Sequence, residues 1–214
     1  MSQSRQLAAI MFTDIQGYSA LMQRDEDQAV NIRARHRKIF ETITEKYNGK
    51  ILQYYGDGTL SIFNSAVEAV KSGIELQLRF TEEPKIPVRI GIHMGDIVYD
   101  DQDIIGDGVN VASRIESMGV PGSLLISDKI NDEIVNKRSF STVSLGKFAL
   151  KNIAVPREIF AVKHQGLAVP TDIQILAKPE KITLARRWIW KMILFVGFGL
   201  AIAFLVIYLI NNVL

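Results

Sequence analysis

Hydrophobic and polar residues alternate along this chain with two different periods, which predicts a mixture of strands and helices. Runs rich in β-branched and aromatic residues predict a hairpin at 51–63 and strands at 7–13, 88–94, 97–99, 123–127, 140–150 and 158–162. Apolar residues three and four positions apart predict helices at 27–47, 66–82, 109–118 and 128–136. Because both hairpins and helical crossovers connect the strands, we expect an α+β sandwich with helices packed on one sheet.

The predicted hairpin places Gly56-Asp57-Gly58 at its tip. Glycine on both sides of Asp57 lets the backbone adopt positive φ and approach a ligand closely. Taken alone, an aspartate in a turn is ordinary turn chemistry. A second carboxylate, Asp14, follows the first predicted strand, and two carboxylates at the ends of neighbouring strands can share hard divalent cations. Such two-metal sites stabilise the attacking and leaving oxygens of an in-line phosphoryl displacement.

Other prominent residues have simpler structural interpretations. The basic run at 33–38 is predicted to be a solvated helix face rather than a phosphate site, with His36 at the edge of the core. Ser65 is predicted to cap the second helix. The positions predicted to face inward on that helix are Ala66, Val70, Ile74 and Leu78. His93 and Met94 are predicted to be core and turn residues rather than ligands.

The composition excludes several classes of site. The chain has no cysteine and three histidines, so disulfides, thiolate catalysis, cysteine zinc sites and histidine-rich metal sites are not expected. The formal net charge is +2, but five basic residues and one acidic residue fall between Lys178 and Lys191. The rest of the chain has 20 basic and 22 acidic residues, a balance of −2. That balance argues against a nucleic-acid partner, and so against a polymerase with a basic template channel.

An uncharged segment of 19 residues, 192–210, predicts a membrane anchor. At about 1.5 Å per residue, a helix of this length crosses a hydrocarbon core of about 30 Å. Trp188 and Trp190 at one end and Tyr208 near the other match the aromatic belts of membrane helices. The basic residues before the segment are expected to stay in the cytoplasm. We therefore predict a single-pass protein of the cell inner (plasma) membrane, with its N-terminal part in the cytoplasm.

These features divide the chain into three predicted parts. Residues 1–163 form a globular domain, and residues 188–211 form a transmembrane helix. Between them, residues 164–187 contain Pro170 and Pro179 and show little periodicity, so they are predicted to be a juxtamembrane linker.

Three motifs occur in order along the globular part: Phe12-Thr-Asp-Ile-Gln-Gly-Tyr-Ser19, Tyr55-Gly-Asp-Gly58 and Gly106-Asp-Gly-Val-Asn-Val-Ala-Ser-Arg114. Together they resemble the catalytic domain of the class III nucleotidyl cyclases, and the resemblance extends over residues 5–163. It implies a ferredoxin-like βαββαβ core and a head-to-tail homodimer with active sites at the interface. Residues 1–163 are accordingly predicted to be a nucleotidyl cyclase catalytic domain.

The resemblance also implies roles for individual residues. Asp14 and Asp57, with the backbone carbonyl of Ile15, would hold two divalent cations, Mg²⁺ or Mn²⁺. Asn110 would position the ribose of a nucleoside triphosphate, and Arg114 would stabilise charge on phosphorus in the transition state. Asn110 and Arg114 are four residues apart on a predicted helix, so they face the same way. The alternative for Arg114 is an ordinary surface salt bridge.

Base selection is where the sequence departs from the family pattern. The two positions that read the base match Gln53 and Asp103. Adenylyl cyclases usually have lysine and aspartate or threonine there, whereas guanylyl cyclases have glutamate and cysteine. Asp103 favours adenine, but the amide of Gln53 both donates and accepts, or is simply a polar residue on an exposed face. Lys151 and Arg157 are candidates for a further basic residue that binds the triphosphate.

The prediction is therefore a membrane-tethered adenylate cyclase that converts ATP to cyclic AMP and pyrophosphate as a homodimer. The open alternatives are a guanylate cyclase, a pyrimidine (cytidylate or uridylate) cyclase, and a non-catalytic nucleotide-binding signalling module. Degenerate modules usually lose a metal aspartate or the arginine, whereas this chain has Asp14, Asp57, Asn110 and Arg114.

Overall fold

A computed structural model describes residues 4–99 and 104–171 of the chain. Within these ranges, no helix is long and apolar enough to cross a membrane. The predicted span at 188–211, most of the predicted linker at 164–187, and Asp103 lie outside the described residues. The membrane anchor therefore stays a prediction.

Strands and helices occur close to where the sequence predicts them. The described strands are β1 Ser4–Ile15, β2 Lys50–Tyr55, β3 Gly58–Phe63, β4 Val88–Tyr99, β5 Ile104–Ile105, β6 Leu124–Ser127, β7 Thr142–Phe148 and β8 Arg157–Val162. The described helices are α1 Tyr18–Arg24, α2 Glu26–Lys46, α3 Ala66–Phe80, α4 Asp107–Met118 and α5 Asp128–Ile134. Two differences stand out: α1 was not predicted, and the separate strand predicted at 97–99 is wrong because β4 runs on without a break.

The described strands form one sheet in the order β2-β3-β1-β4-β6-β8-β7, with β5 paired to the end of β4. The first four strands are antiparallel to their neighbours, and β4 and β6 are parallel. With α1 and α2 after β1 and α3 after β3, the first half of the chain is a βαββαβ unit with β1 and β3 in the middle. The predicted α+β class is therefore confirmed.

Alternating residues of β1 face the two sides of the sheet, and both sides carry helices. Ala9 and Met11 belong to the core that includes Phe40 of α2. Ala8 and Ile10 belong to the core on the other side, together with residues of α4. Asp14 lies an even number of residues from Ile10, so its side chain is on the α4 side.

Two details of the α2 and α3 core differ from the predictions. His36 is 1% exposed rather than at the core edge, because it stacks on Phe40 and Phe80 at centroid distances of 5.7 and 5.0 Å. Ser65 caps α3 as predicted, accepting a hydrogen bond from the Glu68 amide. The buried face of α3 is rotated from the predicted one. Ala66 and Val70 are buried, Ile74 and Leu78 are half-buried, and Leu76 and Phe80 are in the core.

The basic run at 33–38 consists largely of structural contacts rather than a solvated face. The guanidinium of Arg33 lies over the ring of Tyr18, and that of Arg37 lies 4.4 Å from the ring centroid of Tyr54. Arg35 donates to backbone carbonyls of the loop after α3. These contacts give the arginines a packing role.

Candidate active site

The fold brings the Asp14 and Asp57 carboxylates together on the α4 side of the sheet. β1 and β3 pair antiparallel with Thr13 opposite Thr59, so the turn before β3 lies beside the end of β1. Asp14 follows Thr13 directly, and Asp57 stands two residues before Thr59. Two carboxylates 43 positions apart in the chain therefore meet at one edge, as the hairpin pattern predicted.

The glycines around Asp57 have the local roles that the sequence suggested. Gly56 has a φ of 60°, in the left-handed region that favours glycine. A Cβ on Gly58 would lie 3.0 Å from the Thr13 carbonyl oxygen, so a side chain there would press on β1. Both glycines hold the turn close to the end of the strand that carries Asp14.

The negative charges of the two carboxylates repel each other, and this repulsion affects the pKa of Asp57. Burial and the negative charge of Asp14 raise the pKa of Asp57 above its ordinary value. The guanidinium of Arg89 acts in the opposite direction on the same pKa. The pair therefore carries negative charge that a further cation would neutralise.

Arg89 belongs to the site although no motif in the sequence identified it. It lies directly across the sheet from Asp14, and its Nη2 is 2.5 Å from Oδ2 of that carboxylate. Its Nε is 2.8 Å from Oε1 of Glu116, which lies on α4. The side chains of Asp14, Arg89 and Glu116 are 25, 16 and 5% exposed. The signal available in the sequence was an arginine inside the apolar strand predicted at 88–94.

One side of α4 packs closely on β4, and the opposite side is exposed to solvent. A Cβ on Gly91 would lie 2.3 Å from the Glu116 amide nitrogen, so the helix backbone rests on that glycine. Glu116 is buried against the sheet, whereas Asn110 and Arg114 are exposed. Within residues 4–99 and 104–171, Arg114 makes no ion pair, so the surface salt-bridge alternative has no partner there.

A cleft of about 530 Å³ lies between α4 and the segment after β7. Its lining residues are Arg114, Ser117, Met118, Ala149, Leu150, Lys151 and Asn152. Lys151 is exposed and shares this cleft with Arg114, so two cationic side chains face the same space. Arg157 instead lies 3.7 Å from the Asp128 carboxylate and is half-buried. Of the two basic candidates, only Lys151 shares the cleft with Arg114, whereas Arg157 is paired with Asp128.

The remaining predicted site residues are placed as follows. Gln53 is exposed on β2 and pairs with Leu60, on the α4 side of the sheet. Ile15 is the last residue of β1, with its side chain in the core. His93 is buried and its Nδ1 lies 2.9 Å from the Ser127 hydroxyl. Burial lowers the pKa of His93 to about 4, so it is a neutral core residue as predicted. Asp103 cannot be placed relative to Gln53, because it is outside the described ranges.

The donor set fits a hard divalent cation. In the described part of the chain, no three or more histidine, cysteine, aspartate or glutamate side chains form a metal-binding group. The two carboxylates of Asp14 and Asp57 nevertheless supply oxygen donors, and the single guanidinium of Arg89 offsets only part of their negative charge. Mg²⁺ is commonly bound by only one or two carboxylates, with water and substrate phosphates completing the shell. This arrangement therefore suits cations that arrive with a nucleoside triphosphate.

Comparison with known proteins identifies similar domains. A family model described as the adenylate and guanylate cyclase catalytic domain matches residues 1–164. A putative adenylate cyclase 3 from Rhizobium meliloti is 36% identical over 191 residues, which cover 82% of this chain and 32% of that protein. A receptor-type guanylate cyclase, gcy-6, from Caenorhabditis elegans is 25% identical over 81% of this chain and 18% of its own length. The chain thus spans a third or less of these relatives.

Two solved structures resemble the fold closely. The crystal structure of an adenylate/guanylate cyclase/hydrolase from Silicibacter pomeroyi is 34% identical, with a TM-score of 0.69, covering 75% of this chain and 98% of that one. The adenylyl cyclase CyaB from P. aeruginosa is 26% identical, with a TM-score of 0.66, covering 78% of this chain and all of that one. The family model, over residues 1–164, covers the part of the chain that carries the paired carboxylates.

Proposed function

This chain belongs to the adenylate and guanylate cyclase catalytic domain family, and from that premise we propose that it converts ATP to cyclic AMP and pyrophosphate. The observation that carries the proposal is the meeting of Asp14 and Asp57 at one edge of the sheet, with charge left for a cation to neutralise. In the reaction, the ribose 3′ oxygen forms a bond to the α-phosphorus. The bond from that phosphorus to pyrophosphate breaks, and the hydroxyl proton is lost.

Each residue has a distinct part in this proposal. Asp14 and Asp57, with the Ile15 carbonyl, hold two divalent cations, which when bound lower the pKa of the 3′ hydroxyl and neutralise the triphosphate. Asn110 orients the ribose. Arg114 stabilises the charge that develops on phosphorus, a role in which an arginine supplies on the order of 10³–10⁵ in rate. Lys151 would be available to bind the triphosphate, because it shares the Arg114 cleft.

A homodimer is proposed because α4 presents its functional residues away from the carboxylates of its own chain. Residues two apart on a helix point about 200° apart around its axis. Glu116 faces the sheet and, through Arg89, the Asp14 carboxylate. Arg114 therefore faces the other way, so an arginine acting on a nucleotide bound at Asp14 would come from a second copy of the chain.

The identity of the base depends on Gln53, and this residue supports a second candidate. Its amide is exposed on the same side of the sheet as Asp14 and offers both a donor and acceptors. Adenine and cytosine both carry an exocyclic amine that can donate a hydrogen bond to the Gln53 carbonyl oxygen. Guanine presents a different arrangement of donors and an acceptor. A pyrimidine or guanylate cyclase is accordingly the runner-up, and a nucleotide-binding module without turnover comes third.

We further propose that the domain is tethered to the inner membrane with its active site in the cytoplasm. This part rests on the uncharged segment at 192–210 and the basic residues before it. Fractionation of cells, followed by carbonate extraction and protease protection, tests it. Release of the chain by carbonate, or cleavage of the domain from the periplasmic side, would contradict it.

The direct test is incubation of the chain with Mn²⁺ and each of ATP, GTP, CTP and UTP in turn, with the products identified by mass. We expect cyclic AMP as the main product and none from Asp57→Asn, which keeps the side-chain shape but loses the charge. Asp132→Asn is the matched control, because Asp132 is an exposed aspartate on α5. Full turnover by Asp57→Asn would exclude the metal role.

A mixing experiment tests the dimer separately. Asp14→Ala and Arg114→Ala should each be inactive alone, because each damages every site of its homodimer. Mixed, they form some heterodimers in which both faults fall in one site and the other site is intact. Absence of recovered activity, with heterodimers demonstrated by differently tagged chains, would count against shared sites.

A further inference from the structure

Residues 166–170, which we call the C-terminal strap, turn back after β8 and dock on the domain, although the sequence predicts a linker there. The Ala168 amide donates a hydrogen bond to the Gly122 carbonyl at an N···O distance of 3.0 Å. Ala168 also pairs with Ser123 as a parallel β-bridge. Leu167 is half-buried and packs against the α2 and α3 core. The first residues after the last strand are therefore part of the packed structure.

The strap lies against α3 on one side and faces solvent on the other. Gly166 has a φ of 92°, in the left-handed region that favours glycine, and a Cβ there would lie 2.9 Å from Cδ2 of Leu78. Further along, Pro170 is buried, whereas Val169 is 40% exposed. A main-chain hydrogen bond and a few apolar contacts are a weak attachment compared with the core strands. We therefore expect the strap to open while the rest of the domain stays folded.

The strap docks on the loop at 119–123, which continues directly from α4. The Gly119 amide donates to the Glu116 carbonyl at 2.8 Å, so the loop is joined to the last turn of the helix. From α3, the buried side chain of Gln77 donates to the Ser123 carbonyl at 2.7 Å. The loop thus has a fixed contact with α3 and a second contact that exists only while the strap is docked.

The end of α4 forms one wall of the cleft that contains Arg114. Ser117 and Met118 line this cleft, and Met118 is the last residue of α4. The Ser117 hydroxyl donates to the Arg114 carbonyl at 2.8 Å. A loop that shifts when the strap opens therefore also shifts this wall and the backbone around Arg114.

We propose that the C-terminal strap is a regulatory element that holds the end of α4 in the position required for turnover and loosens that end when it is released. A displacement of the chain beyond Thr171 acts on the strap first, because the two are covalently continuous. The predicted linker and membrane anchor follow there, so their position controls the rate. This inference rests on the proposed function, because it takes Arg114 as a residue that acts on the nucleotide.

Hydrogen exchange and turnover of the full-length chain test the strap. Leu167→Asn weakens the docking because it removes an apolar contact with the core, and Val169→Asn is the matched control because Val169 is exposed in the same segment. In Leu167→Asn, amides of residues 115–123 should exchange about threefold faster or more, while those of α2 stay unchanged, which separates release from general unfolding. The kcat should fall by about tenfold, since a misplacement of about 1 Å can cost on the order of 100-fold. Val169→Asn should match the wild type in both measurements.

A disulfide that locks the strap provides a rescue experiment. A Cβ on Gly122 would lie 3.6 Å from the Ala168 Cβ, within the range of about 3.5–4.5 Å found in disulfides, and the chain has no cysteine of its own. Gly122→Cys and Ala168→Cys are therefore combined with Leu167→Asn. Gly122 has a φ of 83°, which strains a cysteine, so the oxidised and reduced forms of this same variant are compared. Oxidised glutathione closes the disulfide and dithiothreitol opens it; closure should slow exchange at 115–123 and recover most of the lost kcat.

The outcomes separate the strap from the cyclase assignment. Failure of the cysteine pair to cross-link, unchanged exchange at 115–123 in Leu167→Asn, unchanged kcat despite faster exchange, or a closed disulfide that restores neither would each overturn the proposal. If the wild type cyclises a nucleotide and all variants match it, the strap has no role and the enzyme assignment stands. If no nucleotide is cyclised, but exchange is faster in Leu167→Asn and reversed by the disulfide, the strap does hold α4 and the enzyme assignment fails.

Discussion

Replacing Gly91 with alanine tests how tightly α4 is fixed to the sheet. The added Cβ would lie 2.3 Å from the Glu116 amide nitrogen and 2.6 Å from the Ala112 carbonyl oxygen. Both are backbone atoms of α4, so no side chain can rotate to make room. Ordinary van der Waals contact begins at 3.4 Å, and the helix must therefore retreat from β4 by roughly 1 Å.

The expected cost follows from overpacking. Forcing an extra carbon into a close-packed core costs about 1–3 kcal/mol of unfolding free energy. In a domain of this size each kcal/mol lowers the melting temperature by about 2–4 °C, so Gly91→Ala should unfold about 2–12 °C below the wild type. Because α4 carries Asn110 and Arg114, a displacement of roughly 1 Å should also reduce kcat by on the order of 100-fold.

Thermal unfolding by circular dichroism is the assay, and Gly73→Ala is the matched control. The Cβ of that variant would lie 2.9 and 3.0 Å from the methyl carbons of Leu124 and 3.6 Å from Cδ1 of Ile92, and these side-chain ends can move. Gly73 lies inside α3, where alanine is favoured over glycine by about 1 kcal/mol. Gly73→Ala should therefore melt near or above the wild type. Equal melting temperatures for both variants would refute the close-packing argument.

Three further predictions concern single side chains. Burial lowers the pKa of His36 from its ordinary value to about 4, so the unfolded chain takes up a proton first as the pH falls below 6.5. The free energy of unfolding is therefore at its full value above pH 6.5 and falls by about 1.4 kcal/mol per pH unit between pH 6.5 and 4. Urea unfolding of His36→Phe should show a smaller fall over this range, and a fall equal to that of the wild type would contradict the prediction. Lys151→Ala should raise KM for ATP about tenfold, which corresponds to the loss of one charged hydrogen bond. Arg157→Ala should lower the melting temperature with little change in KM. The opposite pattern would make Arg157, and not Lys151, the residue that binds the triphosphate. Gln53→Glu should shift the ratio of kcat/KM toward GTP, because a carboxylate accepts from two guanine donors, and an unchanged ratio would exclude Gln53 from base reading.

The strands and most helices could be predicted because their signals are local. The hairpin, the Ser65 cap and the crossovers each follow from a few adjacent residues, and they were enough to indicate the α+β class. α1 was missed because it has only seven residues and begins after Gly17, whose φ is 80°. A helix of two turns after a turn residue has too little periodicity to stand out.

The break predicted within β4 shows a glycine read in the wrong way. The gap between the predicted strands at 88–94 and 97–99 falls at Gly95 and Asp96, but both residues lie inside β4. A Cβ there would lie 3.0 Å from the Gly108 Cα at the start of α4. Gly95 is therefore needed for the close packing of α4 on β4. Its partner Gly108 is 13 positions away, so the local pattern did not reveal this role.

The candidate site could be predicted only where a motif names its residues. Asp14, Asp57 and Arg114 stand in recognisable motifs, whereas the only local signal for Arg89 is its position inside an apolar strand, which does not identify its partner. Its partner Asp14 is 75 positions away, and only the register of β1 against β4 brings the two together. An arginine in an apolar strand is a reason to look for a buried acid across the sheet, because a buried charge requires a partner.

The two sides of α4 explain why the proposed reaction requires a second copy of the chain. On the buried side of α4, backbone atoms of Ala112 and Glu116 lie directly over Gly91, so the helix cannot move closer to the sheet. The side of the helix that remains for Asn110 and Arg114 then points away from the paired carboxylates of the same chain. The packing that fixes the helix therefore also keeps Arg114 away from the paired carboxylates of its own chain. In the proposed homodimer, a second copy of the chain supplies the missing arginine.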